Sequence, residues 1–330
     1  MTLIIRTPED AIAAVPYLLG FHPSESLVVI GFDGPHSTCA VRSDLPPPGV
    51  LIGDRVAHML RDNGFRRALL LGYGPADQVT SAASATWEAL NAEGLDVVEA
   101  LRVTDDRWWS LTCVDEDCCP SEGHPYDVSG SLIPAQATLA GHVALNGRTE
   151  LTDSVRPVPG HPLEVATRQA EERFLSWARE GLAPARIQSR MAEEGIPLLS
   201  TLLSAPTPPS DADLAWLGVL LTSLRVRDEA WVRIDEDDPT PSISFWRHAL
   251  RHLEPPYTPA PACLLAFAAY VSGDGGLANV ALDRADEADP TYSMSTLLRQ
   301  IIAAGIPPTK ARIRMTPTEL AAAYADPNPP

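Results

Sequence analysis

The sequence predicts an α/β N-terminal domain over residues 1–156, followed by an all-α helical C-terminal domain over residues 157–330. The first half alternates continuous apolar segments with segments of helical periodicity. This alternation is typical of a mainly parallel sheet with Rossmann-like layering. The second half keeps helical periodicity throughout. A proline cluster from Pro157 to Pro162 interrupts the chain between them and predicts the boundary.

Three buried strands are predicted in the first half. Ser26–Phe32 and Ala68–Tyr73 are continuous apolar runs, and Asp96–Val103 is the third strand. Such runs suit strands that are covered on both faces. Gly49–Asn63 and Gln78–Ala92 have helical spacing, and a glycine closes each of them. The order strand, helix, strand, helix, strand predicts parallel strands joined by right-handed crossovers.

The helical half is expected to begin with helices over Leu163–Glu180 and Pro184–Glu194, and Asp211 is expected to cap a further helix. Residues 262–290 have the spacing of one tetratricopeptide-like helix pair around the turn at 273–276. Arrays of such repeats need about three copies to be stable. We therefore expect a packed helix hairpin at 262–290 and not a repeat array.

Composition narrows the classes of function. Lysine and arginine total 25 against 43 aspartates and glutamates, which gives a formal net charge of −18. Nucleic acids and anionic membrane surfaces both require a basic face, so binding to either is disfavoured. The sequence has neither a signal-peptide pattern nor the apolar stretch of about 20 residues that a membrane span needs. We expect a cytoplasmic protein whose five cysteines are thiols or metal ligands.

The first candidate site is the turn before the first predicted strand. It contains His22, Ser24, Glu25 and Ser26, which by type supply a nucleophile, an acid and a base. We retain His22 and Ser24 as catalytic candidates. The competing interpretation is a polar turn capped by a serine, with the histidine packed on Phe21. The position favours that interpretation, because sites in parallel sheets follow the strands.

The second candidate is the turn after the second strand, where Gly72 and Gly74 flank a tyrosine. Backbone amides between a strand and a helix can face an anionic ligand. The pattern is neither a dinucleotide-binding nor a P-loop motif. A tight strand-to-helix turn explains the glycines equally well, so both are ligand-binding candidates with a structural alternative.

The third candidate is the most unusual segment, which begins at Arg107, Trp108 and Trp109. These three residues are candidates for ligand binding. Four residues of types that zinc accepts as ligands follow within twelve residues, namely Cys113, Cys118, Cys119 and His124.

Three interpretations of these cysteines stay open. They are a loop packed by buried thiols, a reactive thiol with Cys113 as a catalytic candidate, and a zinc site. The spacing is not that of a zinc knuckle, and adjacent cysteines seldom reach one ion. The acidic neighbours Asp115, Glu116 and Asp117 are expected to raise the thiol pKa values, which weighs against a reactive thiol.

Three separate segments resemble the actinobacterial domain of unknown function 4192 family. They are PYLLGFHPSESLVVIG at 16–31, RWWSLTC through CCPSEG at 107–123, and GDGGLANVALDRA at 273–285 with Asp289 and Pro290. The resemblance covers most of the chain, and the three motifs occur in order. It implies one continuous cytosolic protein in which the histidine turn and the cysteine segment are family hallmarks. It supplies no catalytic assignment.

These observations favour a ligand- or partner-binding regulatory protein. The α/β half is expected to bind a small molecule or a partner, and the helical half is expected to dock a protein. The alternative is a hydrolase or transferase whose site lies at the edge of the N-terminal sheet. A nucleic-acid-associated protein is the weaker alternative. The sequence assigns no cofactor besides the candidate zinc.

Overall fold

The computed structural model describes residues 5–35, 38–47, 53–139, 143–160 and 163–325. The chain divides into two compact units. One, the N-terminal unit, comprises Met1–Leu151 with Ala303–Pro307, and the other, the helical unit, comprises Thr152–Ile302 with Pro308–Pro330. The predicted boundary between residues 156 and 157 lies a few residues after this division, and Pro162 lies outside the described residues.

The N-terminal unit is built on one mixed sheet of six strands. In chain order its elements are α1 (Pro8–Leu19), β1 (Ser26–Phe32), β2 (Cys39–Asp44), α2 (Gly53–Asp62), β3 (Arg67–Tyr73), α3 (Ala76–Ala92), β4 (Asp96–Val103), β5 (Arg107–Ser110), β6 (His124–Pro125) and α4 (Ile133–Leu139). The strands lie in the order β2-β1-β3-β4-β5-β6. The helix α5 (Arg148–Asp153) follows where the two units divide.

The prediction of a mainly parallel sheet is wrong. In the described sheet, β3 and β4 are parallel, whereas the four other neighbouring pairs are antiparallel. The cause is the hairpin of β1 with β2, which reverses the chain before α2 begins. The connection through α2 therefore joins β2 to β3, so that β1 runs against both neighbours.

This reversal changes which residues share an edge of the sheet. Ser26, at the start of β1, pairs with Tyr73 at the end of β3. Tyr73 in turn pairs with Val103 at the end of β4. The turn before β1 and the turns after β3 and β4 therefore meet at one edge, where sites of α/β sheets are usually found.

The main core lies between this sheet and the helices α2 and α3. Alternate residues of β1 and β3, such as Leu27 and Leu70, pack with Leu60 of α2 and Leu90 of α3. The residues between them also point into buried surroundings, and Val28 is fully buried. The sheet is therefore covered on both faces, as the continuous apolar runs indicated. The Rossmann-like layering remains a prediction.

The helical unit confirms an all-helical second half. Its helices are α6 (Leu163–Arg179), α7 (Pro184–Ser204), α8 (Asp211–Leu220), α9 (Leu224–Val232), α10 (Thr240–His252), α11 (Pro259–Val271), α12 (Gly275–Ala288), α13 (Ser293–Ala303), α14 (Pro308–Ala311) and α15 (Pro317–Ala325). Ser210 caps α8 by accepting a hydrogen bond from the amide of Asp213. Asp211 is thus the first helical residue and not the cap.

The predicted helix pair at 262–290 corresponds to α11 and α12. Every residue of α11 from Pro259 to Tyr270 is buried, so α11 is a central core helix. Asp274 caps α12 by accepting from the amide of Leu277. In the described part of the chain, no helix is both long enough and apolar enough to cross a membrane.

Candidate functional site

A cleft of about 440 Å³ opens at the edge of the sheet where β1 begins and where β3 and β4 end. It brings together His22, Ser24 and Gly74, three of the residues that the sequence singled out. The full lining is Ile12, Ala13, Pro16, Tyr17, His22, Pro23, Ser24, Glu25, Tyr73, Gly74, Val103, Thr104, Asp105, Tyr126, Val128 and Pro134.

Main-chain hydrogen bonds hold the turn that carries His22 and Ser24. The His22 amide donates to the carbonyl of Leu145 at 2.9 Å, and the Leu145 amide donates to the carbonyl of Gly20 at 2.9 Å. The ring of Phe21 is buried, whereas His22 and Ser24 are exposed. The turn therefore anchors itself through Phe21 and presents the other two side chains to the cleft.

Tyr73 is the most informative residue of the lining. Its hydroxyl is buried and has no hydrogen-bond partner among the described residues. Burial raises the pKa of Tyr73, so the phenol stays protonated at neutral pH. A buried hydroxyl without a partner costs about 1–3 kcal/mol. A polar group of a bound molecule would remove that cost.

Tyr126 adds a second phenol to the cleft. Its hydroxyl donates to the carbonyl of Thr104 at 2.7 Å, and its amide donates to the carbonyl of Asp106 at 3.2 Å. Burial raises the pKa of Tyr126, and the charges of Asp105 and Asp106 raise it further. The phenol therefore remains neutral, and its oxygen retains lone pairs that can accept a hydrogen bond.

The helix α1 contributes an apolar wall and one main-chain acceptor. Pro16 lies inside α1 and has no N–H group. The carbonyl of Ile12, one turn earlier, therefore lacks its usual helical donor. Both residues line the cleft. This wall thus contains a main-chain carbonyl without its usual helical donor.

The charge of the cleft opposes an anionic ligand. No lysine or arginine is among the lining residues, whereas the exposed carboxylates of Glu25 and Asp105 are. The carbonyl of Gly74 accepts a hydrogen bond from Nε of Arg102 at 3.3 Å. A Cβ atom on Gly72 would lie 2.2 Å from Val79 of α3, which gives Gly72 a packing role. Ligand binding at Gly72 and Gly74 stays a prediction.

The cysteine loop, residues 111–123, leaves the sheet at the far end of β5 from the cleft. The Leu111 amide donates to the carbonyl of Ala100, well inside β4. The Sγ atoms of Cys113, Cys118 and Cys119 lie within 4.8 Å of one another. None of the three lines the cleft. The structure therefore separates Cys113 from His22 and Ser24, with which it was grouped as a catalytic candidate.

The fourth predicted zinc ligand lies outside this sulfur cluster. His124 stacks on Trp108 with 4.3 Å between the ring centroids, and its Nε2 is buried without a hydrogen-bond partner among the described residues. Nε1 of Trp108 donates to Oε1 of Glu9 in α1 at 3.1 Å. His124 and Trp108 thus pack β5 and β6 against the rest of the unit.

Arg107 and Trp109 hold the second half of the cysteine loop. Nη1 of Arg107 donates to the carbonyls of Glu122 and Gly123 at 3.1 and 2.8 Å. Nε1 of Trp109 donates to the carbonyl of Ser121 at 3.1 Å. Gly123 has a φ of +77°, and a Cβ atom there would lie 2.4 Å from the Trp109 ring. These contacts explain why the RWW and CCPSEG segments occur together.

Comparison with known proteins identifies the family. A model of the domain of unknown function DUF4192 matches residues 8–309. The chain belongs to this family. No curated protein and no solved structure matches the chain.

The DUF4192 match contains all three motifs that carried the resemblance, and the structure gives each a place. The first motif forms the end of α1, the rim of the cleft and β1. The second forms β5 and the cysteine loop. The third forms the turn at Asp274 and the helix α12 that follows it, in the helical unit.

The pKa of one thiol of the loop, that of Cys113, is lowered where the sequence led us to expect it to be raised. A hydrogen bond with Cys119 lowers the pKa of Cys113, although the charge of Asp115 acts in the opposite direction. The same hydrogen bond raises the pKa of Cys119. The charge of Asp115 thus raises the pKa of Cys113 as expected, but the hydrogen bond with Cys119 outweighs it, so that the net shift is downward.

Sequence reasoning missed Tyr73, Tyr126 and Asp105. A signal was present for Tyr73, since it is a polar aromatic residue at the end of a buried apolar strand. No local signal could have found Tyr126, which reaches the cleft only because β6 runs antiparallel to β5.

Proposed function

We propose that the N-terminal unit binds a small organic molecule in the cleft. The ligand has an apolar or aromatic body and an ammonium or hydroxyl group. The observation that carries this proposal is Tyr73, a residue that lines the cleft and whose hydroxyl is buried without a partner among the described residues. Native proteins seldom leave such a group unsatisfied, so it is evidence for a ligand or an ordered water at that point.

The chemistry of the lining supports this ligand class. Seven of the sixteen lining residues are proline, alanine, isoleucine or valine, and Tyr17 adds an aromatic face. Small-molecule sites typically combine such a wall with a few polar groups that fix orientation. Here the polar groups include phenols, the side chains of His22 and Ser24, and two carboxylates. The phenols can donate or accept hydrogen bonds. The carboxylates attract positive charge and disfavour phosphates and carboxylates.

A hydrolase or transferase is not supported by a specific contact. His22 and Ser24 line the same cleft, but no hydrogen bond joins the imidazole to the hydroxyl in the described part of the chain. A nucleophile activated by a base requires such a contact. This activity, a regulatory role, protein docking by the helical unit and a cytoplasmic location all remain predictions. The negative charge continues to disfavour a nucleic-acid partner.

The test uses three probes that share one aromatic ring and differ in charge. Benzylamine, benzyl alcohol and benzoate are titrated into the full chain and followed by ligand-observed NMR. We expect benzylamine to bind most tightly and benzoate least. Each exposed carboxylate contributes up to about 1 kcal/mol, so the two extremes should differ by roughly 5-fold to 30-fold.

Two tryptophan variants locate the binding. Ser24→Trp places a large side chain at the exposed rim of the cleft and should abolish benzylamine binding. Ser200→Trp adds the same side chain to an exposed position of α7 and should leave binding unchanged. Equal binding of benzylamine to both variants, or a preference of the wild-type chain for benzoate, would overturn the proposal.

A further inference from the structure

We propose that Cys113, Cys118 and Cys119 bind one zinc ion. Their three Sγ atoms lie within 4.8 Å of one another. Tetrahedral zinc holds each thiolate sulfur at about 2.3 Å, which places neighbouring sulfurs about 3.8 Å apart. The cluster needs only a small contraction to reach that geometry. The site belongs to the cysteine loop and is independent of the cleft and its ligand.

Apolar packing does not explain why the thiols converge. Cys118 is exposed, Cys113 and Cys119 are half-buried, and the neighbouring Val114 is 97% exposed. None of the three cysteines belongs to the described hydrophobic clusters, whereas Cys39 packs against the main one. A loop packed by buried thiols should show the opposite pattern. The sulfurs therefore meet at the surface without an apolar core to draw them together.

The loop backbone explains how two adjacent cysteines, Cys118 and Cys119, can both approach Cys113. The amides of Cys118 and Cys119 both donate to the carbonyl of Asp115, at 3.2 and 2.6 Å. The amide of Cys113 donates to Oγ of Ser110 at 3.0 Å. These two turns fold the loop so that both neighbouring thiols approach Cys113. The spacing that looked unsuitable in the sequence is thus compatible with a shared ion.

The local charge and ligand type select the ion. Asp115, Glu116 and Asp117 make the loop acidic, which favours a cation. Thiolates prefer zinc to magnesium or calcium. On binding, the three S–H protons pass to solvent while three Zn–S bonds form. No histidine, carboxylate or further cysteine joins the cluster within the described residues, so water or a donor from another molecule would complete the coordination.

Metal loading of the full chain tests this inference. The reduced protein is stripped with a chelator and dialysed against zinc, and zinc per chain is measured by elemental mass spectrometry. Cobalt(II) is titrated in parallel, because its thiolate charge-transfer absorption reports the ligand type. We expect one zinc per chain and a cobalt spectrum with thiolate bands. Cys113→Ser, Cys118→Ser and Cys119→Ser should each weaken binding by roughly 100-fold.

Cys39→Ala is the matched control, since Cys39 is a half-buried thiol of β2 outside the cluster. It should retain full zinc stoichiometry. Because the cluster lies in an exposed loop, the serine variants should keep the far-ultraviolet circular dichroism of the wild-type chain. The inference is overturned if reduced wild-type protein holds less than about a tenth of an equivalent of zinc, if cobalt shows no thiolate bands, or if the three serine variants bind like Cys39→Ala.

Discussion

The cleft and the cysteine loop lie at opposite ends of β5 and are stabilised differently. Sheet pairing and main-chain hydrogen bonds fix the cleft, and at this edge the buried hydroxyls of Tyr73 and Ser26 have no partner in the described chain. The cysteine loop is fixed by its own turns and by Arg107 and Trp109, with three thiols converging at its surface. The proposed ligand would therefore enter a cleft that the sheet already holds open, whereas the proposed ion would cross-link a loop that lies outside the hydrophobic core.

One side chain connects these two regions. Nε of Arg102 donates to the carbonyl of Gly74 in the cleft. The guanidinium of the same residue lies 4.3 Å from the centre of the Trp109 ring, which packs on Gly123 in the loop. The regions are thus distinct in chemistry but share one structural contact, and the following substitutions test them separately.

The largest effect is expected for Gly123→Ala. The new Cβ atom would clash with the Trp109 ring, and the positive φ at residue 123 is unfavourable for alanine. The N-terminal unit should therefore lose about 2–4 kcal/mol of stability. Gly94→Ala is the control, because Gly94 has a φ of +79° but nothing within 4 Å of its Cβ position. Native-state hydrogen exchange at β3 and β4 gives both values. Equal losses would show that the Trp109 contact contributes nothing.

Tyr73→Phe should change the stability of the N-terminal unit in the opposite direction. Removing a buried hydroxyl without a partner should stabilise the ligand-free N-terminal unit by about 1–2 kcal/mol. The same hydrogen-exchange measurement reports the change. Tyr126→Phe is the control, since that hydroxyl donates to Thr104 and its loss should be destabilising by about 1 kcal/mol. A destabilised Tyr73→Phe protein would show that its hydroxyl is satisfied in solution.

The sequence predicted the strands but not the direction in which they run. Ser26–Phe32 was predicted with the bounds of β1, because a continuous apolar run indicates burial, and Asp96–Val103 was predicted with the bounds of β4. Such a run does not encode strand direction. The direction of β1 depends on the hairpin with β2, whose half-buried residues give a weak signal. Consequently the elements were predictable and the sheet topology was not.

The candidate site was predictable to the same extent. His22, Ser24 and Gly74 were found because they occupy turns with suitable residue types. The strand direction assumed for β1 placed the histidine turn at the wrong edge, and this weighed against His22 and Ser24, which line the cleft. Tyr126 could not be found, since only the pairing of β6 with β5 brings it there.

Arg102→Lys should affect the cleft and the loop together by about 1 kcal/mol, because lysine retains the charge but loses the planar stacking on Trp109. Hydrogen exchange in the cysteine loop should increase, and benzylamine affinity should fall by a few-fold. Arg67→Lys is the control, since Arg67 stacks on Phe32 at the other edge. A change confined to one region would show that Arg102 does not connect them.

The smallest effect is expected for Glu25→Gly. Glu25 has a φ of +44°, and glycine relieves that strain at an entropic cost, leaving a net gain of about 0.5 kcal/mol. Loss of the carboxylate should also weaken benzylamine binding about twofold. Asp33→Gly, with a φ of +57° outside the cleft, should show the gain in stability without the loss of binding. Weakened binding in both variants would exclude a local role for the Glu25 charge.

The affinity of benzylamine for Tyr73→Phe, compared with that for the wild-type chain, tests ligand binding in the cleft most directly. We expect an affinity about 5-fold to 10-fold lower, because the variant cannot form the hydrogen bond that the buried hydroxyl offers. This loss should occur in a protein that is more stable than the wild type. Equal affinity for the two proteins would contradict the proposed binding mode, because it would show that the Tyr73 hydroxyl does not bind the probe.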